Sequence, residues 1–288
     1  MGNSLKIDLH LHSVISDGSD TPSEILAHVK RAEIGLFSIT DHDAIKSCET
    51  MREVWKVGDP HFLSGVEFSC KDEEGQYHIL GYGYDPESES IEQVVHEGHN
   101  YRMRKCIARL DFLKSEYQID FPADEVEALL ALNNPGKPHL GNLMVKYGYA
   151  ATKEDAIFNY INNVQFESEY VRPEDAIEGI LNAGGITVLA HPSYGNGDQI
   201  IVGGQMEERL ERLIGFGLQG VEAYYSGFTK KLQEEMLYLA DRYDLYVTAG
   251  SDYHGKNKMI AIGDTNLGDV SEAVPGLQRF LQDVTITL

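Results

Sequence analysis

Seven short β-rich runs alternate with amphipathic helical stretches along most of this chain, and that alternation admits few architectures. It is the pattern of an α/β fold built from parallel strands, with helices packed on the sheet. The runs fall near residues 5–12, 36–40, 62–68, 77–84, 185–190, 220–224 and 245–249. The first helix is marked at both ends: Thr21-Pro22-Ser23-Glu24 supplies an N-cap hydroxyl, a proline at the first helical position and a glutamate three residues after the cap, and Gly35 is expected to end it. Pro173 and Gly184-Gly185 repeat this chemistry around a later helix.

Between residues 101 and 172 the strand signals fade, and helical patterns take over at 111–117, 123–132, 139–147 and 154–161. The expected organisation is therefore a main unit of residues 1–100 and 173–288, with a helical subdomain inserted over 101–172. The 288 residues suffice for a sizeable core. With 24 basic and 46 acidic residues the net charge is −22, which argues against a surface for gripping long nucleic acid. The stretch from Tyr101 to Lys153 is the exception, since its eight basic and six acidic residues give +2 and leave −24 on the rest. A locally basic insertion in so acidic a chain reads either as a lid that recruits an anion or as a solvated helix face. Cys48, Cys70 and Cys106 include no close CxxC pair, so neither a disulfide framework nor a zinc ribbon is indicated, and a reducing cytoplasm is expected. The N-terminus enters a strand pattern without an apolar signal core, and no run is long enough to span a bilayer, so no membrane association is expected.

The strongest local signal is Asp8-Leu9-His10-Leu11-His12. Side chains alternate across a strand, so His10 and His12 share a face and converge on one point, with Asp8 beside them. A packed histidine pair would look the same, and so would a metal-binding one. Asp8 then reads as an outer carboxylate orienting a ring, or as an ordinary strand acid. Recurrence separates the two readings of the histidines. Thr40-Asp41-His42-Asp43, Glu67, His78, His191-Pro192 and Ser251-Asp252-Tyr253-His254 all fall within or just after later strands, so that six of eleven histidines occupy such positions. Asp43 suits a helix cap better than a ligand. Strand ends of a parallel barrel share one rim, and this many ionisable groups gathered there need cations; imidazole mixed with carboxylate suits manganese, iron or zinc.

The motifs Asp8-Leu9-His10-Leu11-His12-Ser13, Ser16-Asp17-Gly18, Ile39-Thr40-Asp41-His42-Asp43, Gly65-Val66-Glu67, Ala190-His191-Pro192 and Gly250-Ser251-Asp252-Tyr253-His254-Gly255 resemble, in this order, those of the PHP (polymerase and histidinol phosphatase) family. The insertion with Lys137-Pro138-His139-Leu140 is similar to its branch of small nucleotide phosphoesterases. The resemblance implies a distorted (β/α)7 barrel with two or three divalent ions at its rim. One would take His10, His12, Glu67 and Asp252; a second would share Glu67 and take His78 and His191; a third would take Asp17, His42 and His254. Many relatives carry threonine where this chain has Ala44, which touches a minor contact only.

Three divalent cations would set +6 against the carboxylates of Asp17, Glu67 and Asp252, about +3 in all, so that an acidic protein can receive phosphate. The expected reaction is hydrolysis of a phosphate monoester of a small nucleotide, 3′,5′-bisphosphates included, by in-line attack of a metal-bound hydroxide, with His191 and His254 at the reacting centre. By resemblance Lys137 and His139, with Arg104, face the phosphate. Tyr225 is a candidate for stacking on the base. The competing readings are a 5′→3′ exonuclease on short RNA, a histidinol-phosphate phosphatase, an amidohydrolase and a non-catalytic metal-binding module. The oligomeric state is not written in the sequence.

Overall fold

The computed structural model describes residues 5–164, 169–194, 200–268, 270 and 274–288. All seven expected strands form: β1 (Lys6–Leu11), β2 (Ile34–Ile39), β3 (His61–Asp72), β4 (Gly75–Tyr82), β5 (Ile186–Leu189), β6 (Gly220–Tyr225) and β7 (Tyr246–Gly250). They lie in one sheet in chain order. Its two edges meet just beyond β7, where His12 N–H donates to Tyr253 O and Asp252 N–H to His10 O, each at 2.8 Å. The product is a nearly closed seven-stranded barrel.

The expectation of uniformly parallel strands fails at β4, which runs antiparallel to both neighbours. The cause is local. Asp72 Oδ1 accepts the amides of Glu74 (2.9 Å) and Gly75 (3.2 Å), so β3 doubles back in a hairpin where a parallel partner would need a long crossover. Because β4 enters from the opposite end, His78 near its start, paired with Ser69, reaches the rim at which the parallel strands finish.

Helix α1 (Pro22–Arg31) begins as the sequence implies: Thr21 Oγ1 accepts the Glu24 amide at 3.2 Å, and Glu24 Oε2 accepts the Thr21 amide at 2.8 Å. It ends before Gly35, because Glu33 makes the left-handed turn (φ 56°) and Gly35 already lies inside β2. The remaining helices are α2 (Lys46–Val54), α3 (Glu89–Tyr117), α4 (Ala123–Leu130), α5 (Lys137–Lys146), α6 (Lys153–Asn159), α7 (Pro173–Asn182), α8 (Gly204–Phe216), α9 (Lys230–Arg242) and α10 (Pro275–Asp283). The main core joins strand residues such as Leu9, Val188 and Val221 to Ile177, Leu210, Met236 and Leu277 of α7 to α10.

The 29-residue α3 belongs to two cores. Ile91 and Val94 join the barrel's cluster, whereas Cys106 and Leu113 join a separate one with Leu129, Leu140, Met144 and Ile161. A boundary at residue 101 therefore falls inside a continuous helix. Among the described residues no helix is long and apolar enough to cross a membrane.

Candidate metal centre

The register of β1 against β2 shifts between Asp8 and Leu11, an irregularity of the kind that re-aims side chains at a barrel rim. His10 and His12 are fully buried there, their Nε2 atoms 3.1 Å apart. Both point at Glu67, itself 1% exposed. Glu67 Oε2 lies 3.2 Å from His10 Nε2, 3.0 Å from His12 Nε2 and 3.2 Å from His42 Nδ1. Its Oε1 lies 2.8 Å from His78 Nδ1 and 3.1 Å from His191 Nε2. Five imidazoles thus surround one carboxylate. Glu67 does not end its strand, since β3 continues to Asp72; a bridge between His42 and Glu67 lays the two side by side.

Asp252, Asp17 and His254 close the other side. Asp252 Oδ1 is 3.7 Å from His10 Nε2, 3.4 Å from His12 Nε2 and 3.3 Å from His254 Nδ1. His254 Nδ1 donates to the Asp252 carbonyl at 2.9 Å, which leaves Nε2 facing Asp17 Oδ1 at 3.2 Å. Three groups bring ligand atoms close enough to share an ion: His10, His12 and Glu67; His12, Asp17, His42 and His254; and His42, Glu67 and His78. His12, His42 and Glu67 each recur in two groups, a more fused arrangement than the expected sets, which shared Glu67 alone.

The backbone bends to make this possible. Asp43, His191 and Asp252 have φ of 47°, 28° and 59°, which non-glycine residues seldom adopt and which cluster at functional sites. Gly250 permits a close approach, because a Cβ there would sit 2.3 Å from both Glu222 Oε1 and His10 Cβ.

Glu222 on β6 was not apparent as a site residue in the sequence. Fully buried, it accepts from His10 Nδ1 at 2.8 Å and from the His191 amide at 2.8 Å. A carboxylate can only accept, so the ring proton sits on Nδ1 and Nε2 is left free to ligate. Of the two readings of Asp8, a carboxylate orienting a ring or an ordinary hydrogen-bonded acid, the bonds match the second: Oδ1 accepts the Ser251 amide (2.9 Å) and Oδ2 the Gly263 amide (2.7 Å). Burial pushes the Asp8 carboxyl up to about 6 in spite of these bonds.

Electrostatics shows a centre short of positive charge. Burial alone would raise the carboxyls of Glu67, Asp17 and Asp252, yet the surrounding imidazoles hold all three well below their usual range. Burial opposes charge on His12, but Asp252 and Glu67 raise it to about 9. Burial drives His42 the other way, well below an ordinary histidine. Protons alone serve such a cluster poorly. Asp17 Oδ1, His42 Nδ1 and His191 Nδ1 are buried without a hydrogen-bond partner, although the first two lie 3.2 Å from His254 Nε2 and Glu67 Oε2. Lone pairs aimed past one another at common points are what shared cations require, and the donor set fits divalent metals.

The centre opens into a cleft of about 280 Å³, lined on the barrel side by His42, Glu67, His191 and His254 and also by Pro138, Lys153 and Lys258. Lys258, absent from the sequence reading, donates to Asp252 Oδ2 and to Tyr225 Oη (3.3 Å). Two expected substrate contacts are engaged with other groups. Arg104 is exposed, pairs with Glu169 and is not among the residues that line the cleft. Tyr225 is 6% exposed and donates to Asp252 Oδ2 at 2.9 Å, so its ring is not free to stack on a base. Asp43 does not cap α2 but pairs with Arg102. Lys137 Nζ donates to Asn162 Oδ1 at 2.6 Å, and His139 Nδ1 accepts the Gly136 amide at 3.1 Å.

Comparison with known proteins agrees with this geometry. The family profile described as PHP domain matches residues 8–219. A phosphoribosyl 1,2-cyclic phosphate 1,2-diphosphodiesterase of Eggerthella lenta is 29% identical over 86% of this chain and 94% of its own. A 3′,5′-nucleoside bisphosphate phosphatase of Chromobacterium violaceum is 28% identical over 93% of each chain. A 5′-3′ exoribonuclease of Haemophilus influenzae is 27% identical over 96% of this chain and 99% of its own. The structure of a protein assigned as a metal-dependent phosphoesterase of Bifidobacterium adolescentis superposes with a TM-score of 0.81 at 26% identity, covering 97% of this chain and 96% of the other.

Proposed function

The chain belongs to the PHP domain family, and from that premise we propose that it is a metal-dependent phosphoesterase hydrolysing phosphate monoesters of small nucleotides, 3′,5′-bisphosphates among them. The observation that carries the reading is Glu67, buried and met on both oxygens by five histidines. Two or three divalent ions, manganese, iron or zinc, would be held by His10, His12, Glu67 and Asp252, by Glu67, His78 and His191, and by Asp17, His42 and His254. When bound, such ions polarise phosphoryl oxygens and bring a coordinated water to ionise near neutrality.

The chain's own groups do the rest. Glu222 keeps the His10 proton on Nδ1. Lys153 and Lys258 at the cleft attract the anionic substrate into an acidic molecule. His191, with Nε2 toward Glu67 and Nδ1 unpartnered, and His254, with Nδ1 held by a carbonyl, stand at the reacting centre. We take residues 101–172 as the part that covers the substrate, since Pro138 and Lys153, at the starts of α5 and α6, line the same cleft as Glu67.

A phosphate-release screen with manganese tests this across mononucleotides, 3′,5′-bisphosphates, a cyclic phosphate, histidinol phosphate and short RNA. Manganese-dependent release from bisphosphates is expected, lost at least ~100-fold in His10→Ala and Asp252→Asn while both keep the far-ultraviolet circular dichroism of the parent. Undiminished turnover in both variants sinks the reading. Stepwise release of mononucleotides from RNA alone would move the substrate to the exoribonuclease class.

A further inference from the structure

Arg102, Lys105 and Arg109 recur at spacings of three and four, so they share one face of α3. Arg102 is spoken for: its guanidinium donates to Asp43 Oδ2 and to Ser69 Oγ (2.7 Å), directly beside His42. Lys105 and Arg109 make no ion pair among the described residues. Lys105 is 7% exposed, with Nζ 3.4 Å from the centroid of the Tyr170 ring, and Arg109 Nε is buried without a hydrogen-bond partner. Lys137, at the start of α5, donates from Nζ to the neutral Asn162 and makes no ion pair among the described residues.

These cations act on one another. Burial and Arg102 push the Lys105 ammonium down to about 7 against the pull of Asp43, with Arg109 and Lys137 adding to the fall. Burial, then Arg109, lowers Lys137 as well. A buried charge is ordinarily paired, and a chain with 46 acidic residues does not lack partners for 24 basic ones. Three cations near enough to lower one another, none of them ion-paired among the described residues, can accept an anion from outside. Tyr170, the neutral face under Lys105, cannot supply one.

The place of this cluster says which anion. It begins next to Arg102 at the metal centre and runs outward by about 10 Å along α3, at 1.5 Å of rise per residue. Pro138, adjacent to Lys137, lines the catalytic cleft. Resting on the phosphoesterase reading, we propose that Lys105, Arg109 and Lys137 form a second anion site that holds a phosphate of the substrate other than the one being cleaved. The preferred substrate then carries two phosphates, and the site sets that preference through binding.

The test compares kcat/KM for adenosine 3′,5′-bisphosphate and adenosine 5′-monophosphate, with manganese, in the parent protein and in Lys105→Met, Arg109→Met and Arg109→Lys. The ratio between the two substrates should fall at least tenfold in each methionine variant, mostly through KM, and Arg109→Lys should recover much of it. An equal loss on both substrates, or an unchanged ratio, overturns the site and leaves the hydrolase standing. A second arm needs no turnover. Calorimetric titration of the bisphosphate into chelator-treated protein should show at least tenfold weaker binding in Lys105→Met and Arg109→Met, and equal affinities also overturn the site. A parent that releases phosphate from neither substrate sinks the phosphoesterase reading, while the binding arm still judges the anion site. Thermal melts confirm that each variant is folded.

Discussion

Glu222 decides which nitrogen of His10 is free, and its removal isolates that effect. Glu222→Ala should weaken manganese binding by about 10- to 100-fold while the protein stays folded, the usual consequence of losing the carboxylate behind a metal-binding histidine. Titration with the ion followed by calorimetry reads this directly, and unchanged affinity would mean that packing alone orients the ring. Lys105 offers a prediction of opposite sign. Its ammonium titrates near 7 in the folded protein, against 10.5 for an unperturbed lysine. Between those values the unfolded chain binds more protons, so stability rises with pH there, and the full penalty of the buried charge is present below about 7. Lys105→Met should therefore stabilise the protein in neutral or mildly acidic solution by on the order of 3 kcal/mol, once the lost contact with the Tyr170 ring is set against the shift. The gain should fade as pH approaches 10.5, and urea titrations at pH 6.5 and 10 would show it. A flat difference between these pH values would refute the account.

At the scale of elements, an ion pair to the buried Asp43 helps to fasten α3 to the barrel. Gly98 lets the helix come close, since a Cβ there would lie 2.9 Å from Asp43 Cβ, and Arg102 one turn later reaches the Asp43 carboxylate. Arg102→Met leaves Asp43, which is 2% exposed, without its counter-charge, and the expected loss is about 3–5 kcal/mol in urea unfolding. Adding Asp43→Asn should restore a good part of it, and strict additivity of the two changes would show that the pair is not coupled. Strand β4 owes its place to the same kind of local decision. Two residues separate it from β3, far too few for a crossover, and the reversed strand carries His78 to the metal rim.

The molecule as a whole carries −22, and its centre concentrates buried carboxylates that bound cations would offset. Ions that bind only the folded state stabilise it by mass action, about 2.7 kcal/mol at a hundredfold excess over Kd. Manganese at that excess should raise the melting temperature of chelator-treated protein by several degrees, and His10→Ala should shrink the shift. The same melting temperature with and without manganese would argue against a resident metal centre. The two cores joined by α3 lead to a further whole-molecule expectation: binding of a substrate with two phosphates should protect the amides of α3 and α5 from hydrogen exchange more than those of α9 on the far wall.

Strand periodicity, the capping box of α1 and the recurrence of histidine and acid near strand ends were legible in the sequence because each is written in neighbours a few residues apart. From those signals came the seven strands, and with them the expectation that His10, His12, His42, Glu67, His78, His191, Asp252 and His254 share one rim. The direction of β4, the partnership of Glu222 with His10 across 212 residues, the pairing of Arg104 with Glu169 and the occupation of Tyr225 by Asp252 belong to the closed barrel alone. Local sequence sets which face of a strand or helix a side chain occupies. Which other face it meets is set by closure and packing of the whole, and a carboxylate or guanidinium takes its role from the group it meets there.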